Sequence, residues 1–307
     1  MVKKISIIGS GGVGSNLAFN ILSGLRIEEL VLVDINQELA KGIGLDLEDT
    51  RLFLGFNTTI KGTDDFALIE DSDIVIIACG QTRKEGMERI DLLKANVEIA
   101  RDVSYKIKQF SPHSIVIVVT NPVDFITYIV KKEIGGKRER VFGVGSSLDS
   151  ARLVNLIYKE TKVSANNIES CVIGLHNKEM IPLISQAKIR GIDINTFLNK
   201  DRLNFLKEKV SLRGAEIVGL LKKRSAYFAP ALASYKIVEA IAKDKNEIIC
   251  LSVYLNGEYG LNDVCMGVPC LINKEGIGKI FILDLNEEEK RKVLRVKDYF
   301  EECMKLV

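Results

Sequence analysis

Through the first half of the chain, apolar residues fall in short unbroken runs. These are Ile5-Ser6-Ile7-Ile8, Leu30-Val31-Leu32-Val33, Ile74-Val75-Ile76-Ile77-Ala78-Cys79, Ile115-Val116-Ile117-Val118-Val119 and Val141-Phe142-Gly143-Val144-Gly145. Runs of this length without alternation mark strands covered on both faces. Between them, residues 16–22, 38–47 and 88–110 carry apolar positions at helical spacing, and Thr58-Thr59-Ile60-Lys61 reads as one more short strand. Strands alternating with helices predict an α/β fold with a doubly wound parallel sheet over residues 1–145. From Ser146 the rhythm changes. Helical patterns at 148–159, 204–222 and 231–243 mix with strand-like runs at 248–255 and 279–283. A last helix is announced by Asn286 as N-cap, with Glu287-Glu288-Glu289 in its first turn. Residues 146–307 are therefore expected to form a second, mixed α+β domain.

The turn after the first strand is Gly9-Ser10-Gly11-Gly12-Val13-Gly14, and the second strand ends on Asp34, about twenty residues further on. Strand, glycine turn, helix, strand and acid in this order form a Rossmann-type dinucleotide site. Gly9 allows the tight turn, Gly11 lets backbone approach a pyrophosphate, and Gly14 lets helix and strand pack closely. The helix N-terminus offers N–H groups and partial positive charge to that anion. Asp34 suits ribose hydroxyls and repels a 2′-phosphate, which favours NAD over NADP.

Composition narrows the classes. The formal charge is +2, with 43 Lys and Arg mixed among 41 Asp and Glu, so neither nucleic acid nor an anionic membrane surface is an expected partner. No apolar run approaches the roughly 18 residues of a membrane span, and with the first strand so near the start no targeting peptide is expected. Six scattered cysteines without C-x-x-C spacing fit a reducing cytoplasm.

The candidate chemistry lies at strand ends. Gly80 and Gly86 bracket a polar segment containing Arg83 and leading to Arg89, as suits a loop closing over a ligand. Arg89 near a helix start opposes the helix dipole, at about 0.3–1 kcal/mol, which Asp91 partly offsets. Asp149 and Arg152 stand at i, i+3 on a helix; read alone, such a pair is more often an exposed ion pair. His176 follows the apolar run Cys171-Val172-Ile173-Gly174-Leu175; His113 sits in a Ser-Pro turn and is expected to face solvent. No metal site is expected, because Cys171 and His176 would face opposite sides of a strand and no other ligand spacing occurs.

Taken together, these residues resemble the NAD-dependent malate and L-lactate dehydrogenases over essentially the whole chain. The likeness rests on the glycine turn, Asp34, the segment from Arg83 to Arg89, Thr120-Asn121-Pro122-Val123-Asp124, Leu148-Asp149-Ser150-Ala151-Arg152, His176 and Ser225-Ala226-Tyr227-Phe228-Ala229-Pro230. It implies NAD as cofactor, His176 as proton donor and acceptor, and Asp149 as its partner. It further implies that Arg152 grips the substrate carboxylate, Arg89 polarises the reacting carbonyl, Asn121 bonds substrate, and Asn96 and Val119 line the cofactor site. Arginine at position 83 resembles the malate branch, since a second buried carboxylate needs a countercharge; Ala226 fits the same branch. The expected reaction is the interconversion of malate and oxaloacetate, in a homodimer or homotetramer. The alternatives are an L-lactate or broader 2-hydroxyacid dehydrogenase and, in a different class, a catalytically silent NAD-binding sensor. Two sites depart from the pattern. His176-Asn177-Lys178 replaces His-Gly-Asp, with Asn177 expected to tolerate a positive φ in place of glycine, and Arg224 replaces a glycine before Ser225.

Overall fold

The computed structural model describes residues 2–81, 89–222 and 225–307. The expected alternation is present. Strand β1 (Lys4–Ile8), helix α1 (Gly12–Gly24), β2 (Glu29–Val33), α2 (Gln37–Asp49), the short α3 (Arg51–Leu54) and β3 (Thr59–Thr63) form the first unit. Then come β4 (Ile74–Ile77), α4 (Arg89–Phe110), β5 (Ile115–Val118), α5 (Val123–Ile134) and β6 (Val141–Gly143). These six strands are parallel, in the order β3-β2-β1-β4-β5-β6. Their all-apolar runs are buried because helices cover both faces. Between β1 and β4 the strand order reverses, which opens a crevice at their carboxyl ends where such sheets take ligands.

The second half begins with α6 (Ser146–Thr161). Five two-residue strands follow: β7 (Ile168–Glu169), β8 (Val172–Ile173), β9 (Ile181–Pro182), β10 (Lys188–Ile189) and β11 (Ile192–Asp193). After them come α7 (Lys200–Leu221), α8 (Phe228–Ala242), β12 (Glu247–Asn256), β13 (Asn262–Asn273), β14 (Gly276–Ile280) and α9 (Glu287–Met304). Asn286 caps α9 in a full capping box with Glu289.

The parallel sheet does not stop at β6. Strand β12 pairs antiparallel with β6, Val253 opposite Phe142, and β13 and β14 extend it, so that among the described residues nine strands share one sheet. One expected run is shifted, and two elements had no counterpart in the sequence pattern. Strand β13 carries Gly267 and Pro269 mid-run, a pattern that argues against a central strand; Pro269 nevertheless lies opposite Cys250 of β12, and its carbonyl accepts Phe281 N–H just beyond β14. The run expected at 279–283 instead belongs to β14, which ends at Ile280. Helix α5, hidden behind the Asn121-Pro122 turn, fills the interval before β6 with a mostly buried apolar face.

A large core lines both faces of the sheet, and a smaller one joins α6, α7 and the short strands through Leu153, Ile157, Val172, Met180, Leu206 and Val210. The loop from β8 to β9 is pinned to the main sheet by paired Gly174–Gly267 hydrogen bonds of 2.9 and 2.8 Å. That loop carries His176.

Candidate functional site

At the sheet's reversal point, the glycine turn has the shape its sequence requires. Gly9 adopts φ +104°, and a Cβ there would lie 2.5 Å from the Cys79 backbone nitrogen at the end of β4. A Cβ on Gly14 would lie 1.9 Å from the Gly9 carbonyl oxygen, so only hydrogen fits. Gly11 is different: nothing lies within 4 Å of an added Cβ. It precedes α1 without a side-chain cap and with no acid in the first turn, leaving that helix end to an outside anion. Gly12 meets the Tyr227 ring, Val13 packs half-buried against the core, and Ser10 is buried with its hydroxyl unpartnered among the described residues. Asp34 accepts Ser10 N–H at 2.7 Å and Asn36 N–H at 3.0 Å, one on each oxygen, and remains half-exposed at the end of β2. These residues fit a dinucleotide: an open glycine edge, an uncapped helix start, and a carboxylate with lone pairs left for ribose.

Asn96, on α4, is buried and bonded to backbone. Its Oδ1 accepts Gln81 N–H at 2.7 Å, and its Nδ2 donates to Gln81 O at 3.2 Å and Asn121 O at 2.7 Å. It thus clamps together the segments leaving β4 and β5. Val119 follows β5, half-buried and tied to Ile77 O at 2.9 Å. Asn121 is exposed just beyond it, preceding a cis peptide to Pro122.

The fold brings Asp149, Arg152 and His176 together. His176 Nδ1 lies 2.6 Å from Asp149 Oδ2, and Arg152 Nη1 donates to Asp149 Oδ1 at 3.1 Å. Asp149 is 0% exposed, so this is no surface ion pair. Burial pushes the His176 imidazole down, but the charge and hydrogen bond of Asp149, together with the Asp124 charge, reverse this and hold it above its usual range. Gly214 of α7 faces the Arg152 guanidinium, 3.5 Å from an added Cβ to Nη1.

One further acid at the site had no role assigned from sequence. Asp124, in the first turn of α5, is 3% exposed and accepts His176 N–H at 2.7 Å and the Ser252 hydroxyl at 2.6 Å. Burial pushes its carboxyl up to about 6 despite those two donors. The available signal was a lone acid in the apolar run Val123-Asp124-Phe125-Ile126. Asn177 does not take the positive φ expected of it; Gly174 does, at +86°. Instead Asn177 turns the chain by donating its N–H to Leu175 O and accepting Glu179 N–H on its side chain. His113 faces solvent as expected. Arg83 and Arg224 lie outside the described residues; Arg89 opens α4, and its side chain is not among those described. Among the described residues no cluster of His, Cys, Asp or Glu could hold a metal ion.

Comparison with known proteins places this geometry. The profile of the lactate/malate dehydrogenase NAD binding domain matches residues 3–143, and that of the lactate/malate dehydrogenase alpha/beta C-terminal domain matches residues 146–307. A malate dehydrogenase of Roseiflexus sp. (strain RS-1) is 42% identical over 289 residues, 94% of this chain and 93% of that protein. The crystal structure of Cryptosporidium parvum malate dehydrogenase superposes with a TM-score of 0.95 at 33% identity, covering 99% of this chain and 98% of that one. The lactate dehydrogenase of the same organism, solved with lactic acid and β-nicotinamide adenine dinucleotide, also gives 0.95, at 30% identity, covering 100% of this chain and 98% of that one. With both halves matched, in order and nearly end to end, the chain belongs to the lactate/malate dehydrogenase family of NAD-binding oxidoreductases.

Proposed function

We propose that the chain catalyses reversible hydride transfer between (S)-malate and oxaloacetate with NAD. The observation that carries this reading is the His176–Asp149–Arg152 chain, in which one buried carboxylate serves an imidazole and a guanidinium at once. Bound NAD supplies or accepts the hydride at its nicotinamide. The remaining chemistry is moving a proton and holding a dicarboxylate.

His176 gives its proton to the oxaloacetate carbonyl oxygen and takes it back from the malate hydroxyl. Asp149 fixes the ring with Nδ1 toward its carboxylate and stabilises the imidazolium. Arg152, with one amino group on Asp149, turns its other donors to a substrate carboxylate, a match lysine lacks. Arg89 polarises the carbonyl, Asn121 hydrogen-bonds substrate, and Arg83 neutralises the second carboxylate. Gly9, Ser10, Gly11, Gly12, Val13 and Gly14 hold the pyrophosphate, Asp34 takes the ribose, and Asn96 and Val119 border the nicotinamide end. On this reading residues 1–145 bind cofactor, while 146–307 contribute His176, Asp149 and Arg152.

The assembly is a homodimer or homotetramer. Leu45, Leu52 and Phe53 on α2 and α3, Leu220 on α7 and Phe228 on α8 are each more than 60% exposed, as suits surfaces that another copy covers. The setting is the cytoplasm, where six free thiols persist. An L-lactate or broader 2-hydroxyacid dehydrogenase is the second reading, favoured by the equal likeness to a lactate dehydrogenase structure; Arg83 speaks against it, because pyruvate would leave that guanidinium buried and unpaired. NADH oxidation measured side by side with oxaloacetate, pyruvate and 2-oxoglutarate tests the proposal, repeated with NADPH. Oxaloacetate with NADH is expected to be fastest. Preference for pyruvate would establish the second reading, and no turnover with any 2-oxoacid would point to an NAD-binding sensor.

A further inference from the structure

We infer that Asp124 is a positioning residue for proton transfer, a second carboxylate that fixes the His176 backbone and adds to the negative charge that stabilises the imidazolium. The inference rests on the reading of His176 as the proton carrier. Asp124 accepts His176 N–H at 2.7 Å and is held by the Ser252 hydroxyl at 2.6 Å, with both Asp124 and Ser252 buried. The Gly174–Gly267 pairing pins the same loop two residues earlier, so the approach to His176 is fixed at two points.

The charge is what needs explaining. A neutral amide would accept the same backbone hydrogen bond and fit the same space, without the desolvation that a buried carboxylate suffers. The first turn of α5 favours a negative group, and both Asp124 oxygens are engaged by partners outside that helix, His176 and Ser252. The charges felt at His176 among the described residues are Asp149 and Arg152 from α6 and Asp124 from α5. Its own loop adds Lys178 and Glu179, 4.0 Å apart and solvent-exposed to differing degrees. On β13 the Cys265 thiol faces Asp124, and burial pushes that thiol far up, so it stays neutral. Arg152 opposes imidazolium formation, and Asp149 is shared between Arg152 and His176. A second negative charge offsets the guanidinium.

The chain contains two histidines, which makes the test direct. Histidine-labelled enzyme is titrated by NMR without substrate, His113 serving as an exposed internal reference and His113→Gln assigning the signals. In Asp124→Asn the His176 midpoint is expected to fall by about one pH unit, with His113 unmoved. Ser252→Ala, which keeps the carboxylate but removes its donor, is expected to move His176 in the same direction by less. In the same Asn variant, kcat for oxaloacetate reduction above neutral pH falls while KM for NADH is unchanged. A His176 midpoint unmoved in Asp124→Asn overturns the inference; if that variant fails to fold, an unmoved midpoint in Ser252→Ala does so. The titration reads the imidazole whatever the substrate, so a wild-type enzyme inert toward oxaloacetate would contradict the proposed reaction and leave this result standing.

Discussion

As the proposed proton carrier, His176 needs a fixed ring and a proton near neutral pH, the second of which burial alone would take away. Asp149 provides both through one 2.6 Å contact. Asp149→Asn removes the charge and permits the wrong tautomer, and kcat is expected to fall on the order of 10³–10⁴-fold, with KM for NADH little changed. Steady-state rates across pH check this; a loss below about tenfold would contradict the role given to Asp149. The neighbouring acid makes a thermodynamic prediction of its own. In the folded chain the Asp124 carboxyl is raised from 3.8 to about 6. The folded state therefore holds that proton where the unfolded chain has released it. The stability this contributes is complete below the unfolded value and is lost as pH rises through the folded one, about 3 kcal/mol in all. Asp124→Asn removes the titration. The urea-unfolding stability of the wild type relative to that variant is expected to decline by about that amount between about pH 4 and about pH 7; a difference independent of pH would show that the carboxyl is not raised.

Glycines of one short turn separate folding from binding at the scale of the element. Gly14→Ala would place a methyl 1.9 Å from the Gly9 carbonyl oxygen, and α1 cannot then pack on β1. Gly11→Ala meets no atom within 4 Å, and its φ of −66° suits alanine. Gly11→Ala is therefore expected to melt like the wild type yet bind NADH at least about tenfold more weakly, while Gly14→Ala fails to fold. Fluorescence titration and thermal melts distinguish these outcomes; unchanged NADH affinity in Gly11→Ala would remove that residue from the cofactor site. The same element shows why one half of the chain is easier to read than the other. Parallel strands covered on both faces leave unbroken apolar runs, and a dinucleotide turn constrains several residue types within a few positions. Strand β13 offers neither cue, since Gly267 and Pro269 interrupt it and its place is set by pairing with β12 and β14. The two-residue strands β7 to β11 are too short to carry a period. Asp149 and Arg152 look like an ordinary helical pair until tertiary contact buries the acid against His176. Asp124 and Ser252 become partners only because α5 packs on β12, 128 residues apart in sequence.

At the scale of the whole molecule, one sheet runs from the nucleotide crevice to the hairpin β13–β14, so groups from both halves meet without a flexible joint in the sheet. The exposed aliphatic residues predict association of copies. Leu45, 64% exposed on α2 while Ala40, Gly44 and Leu47 face inward, is a suitable probe. Sedimentation is expected to give a dimer or tetramer for the wild type and a smaller species for Leu45→Glu; a monomeric wild type would contradict the assembly. The proposed substrate preference, however, turns on charge: on that reading a dicarboxylate is chosen because Arg83 neutralises its second carboxylate. The most direct measurement is the ratio of kcat/KM for oxaloacetate to that for pyruvate, in the wild type and in Arg83→Gln. Loss of a buried charge partner costs about 2–5 kcal/mol, so the ratio is expected to fall on the order of 30-fold or more toward pyruvate. An unchanged ratio would contradict the account.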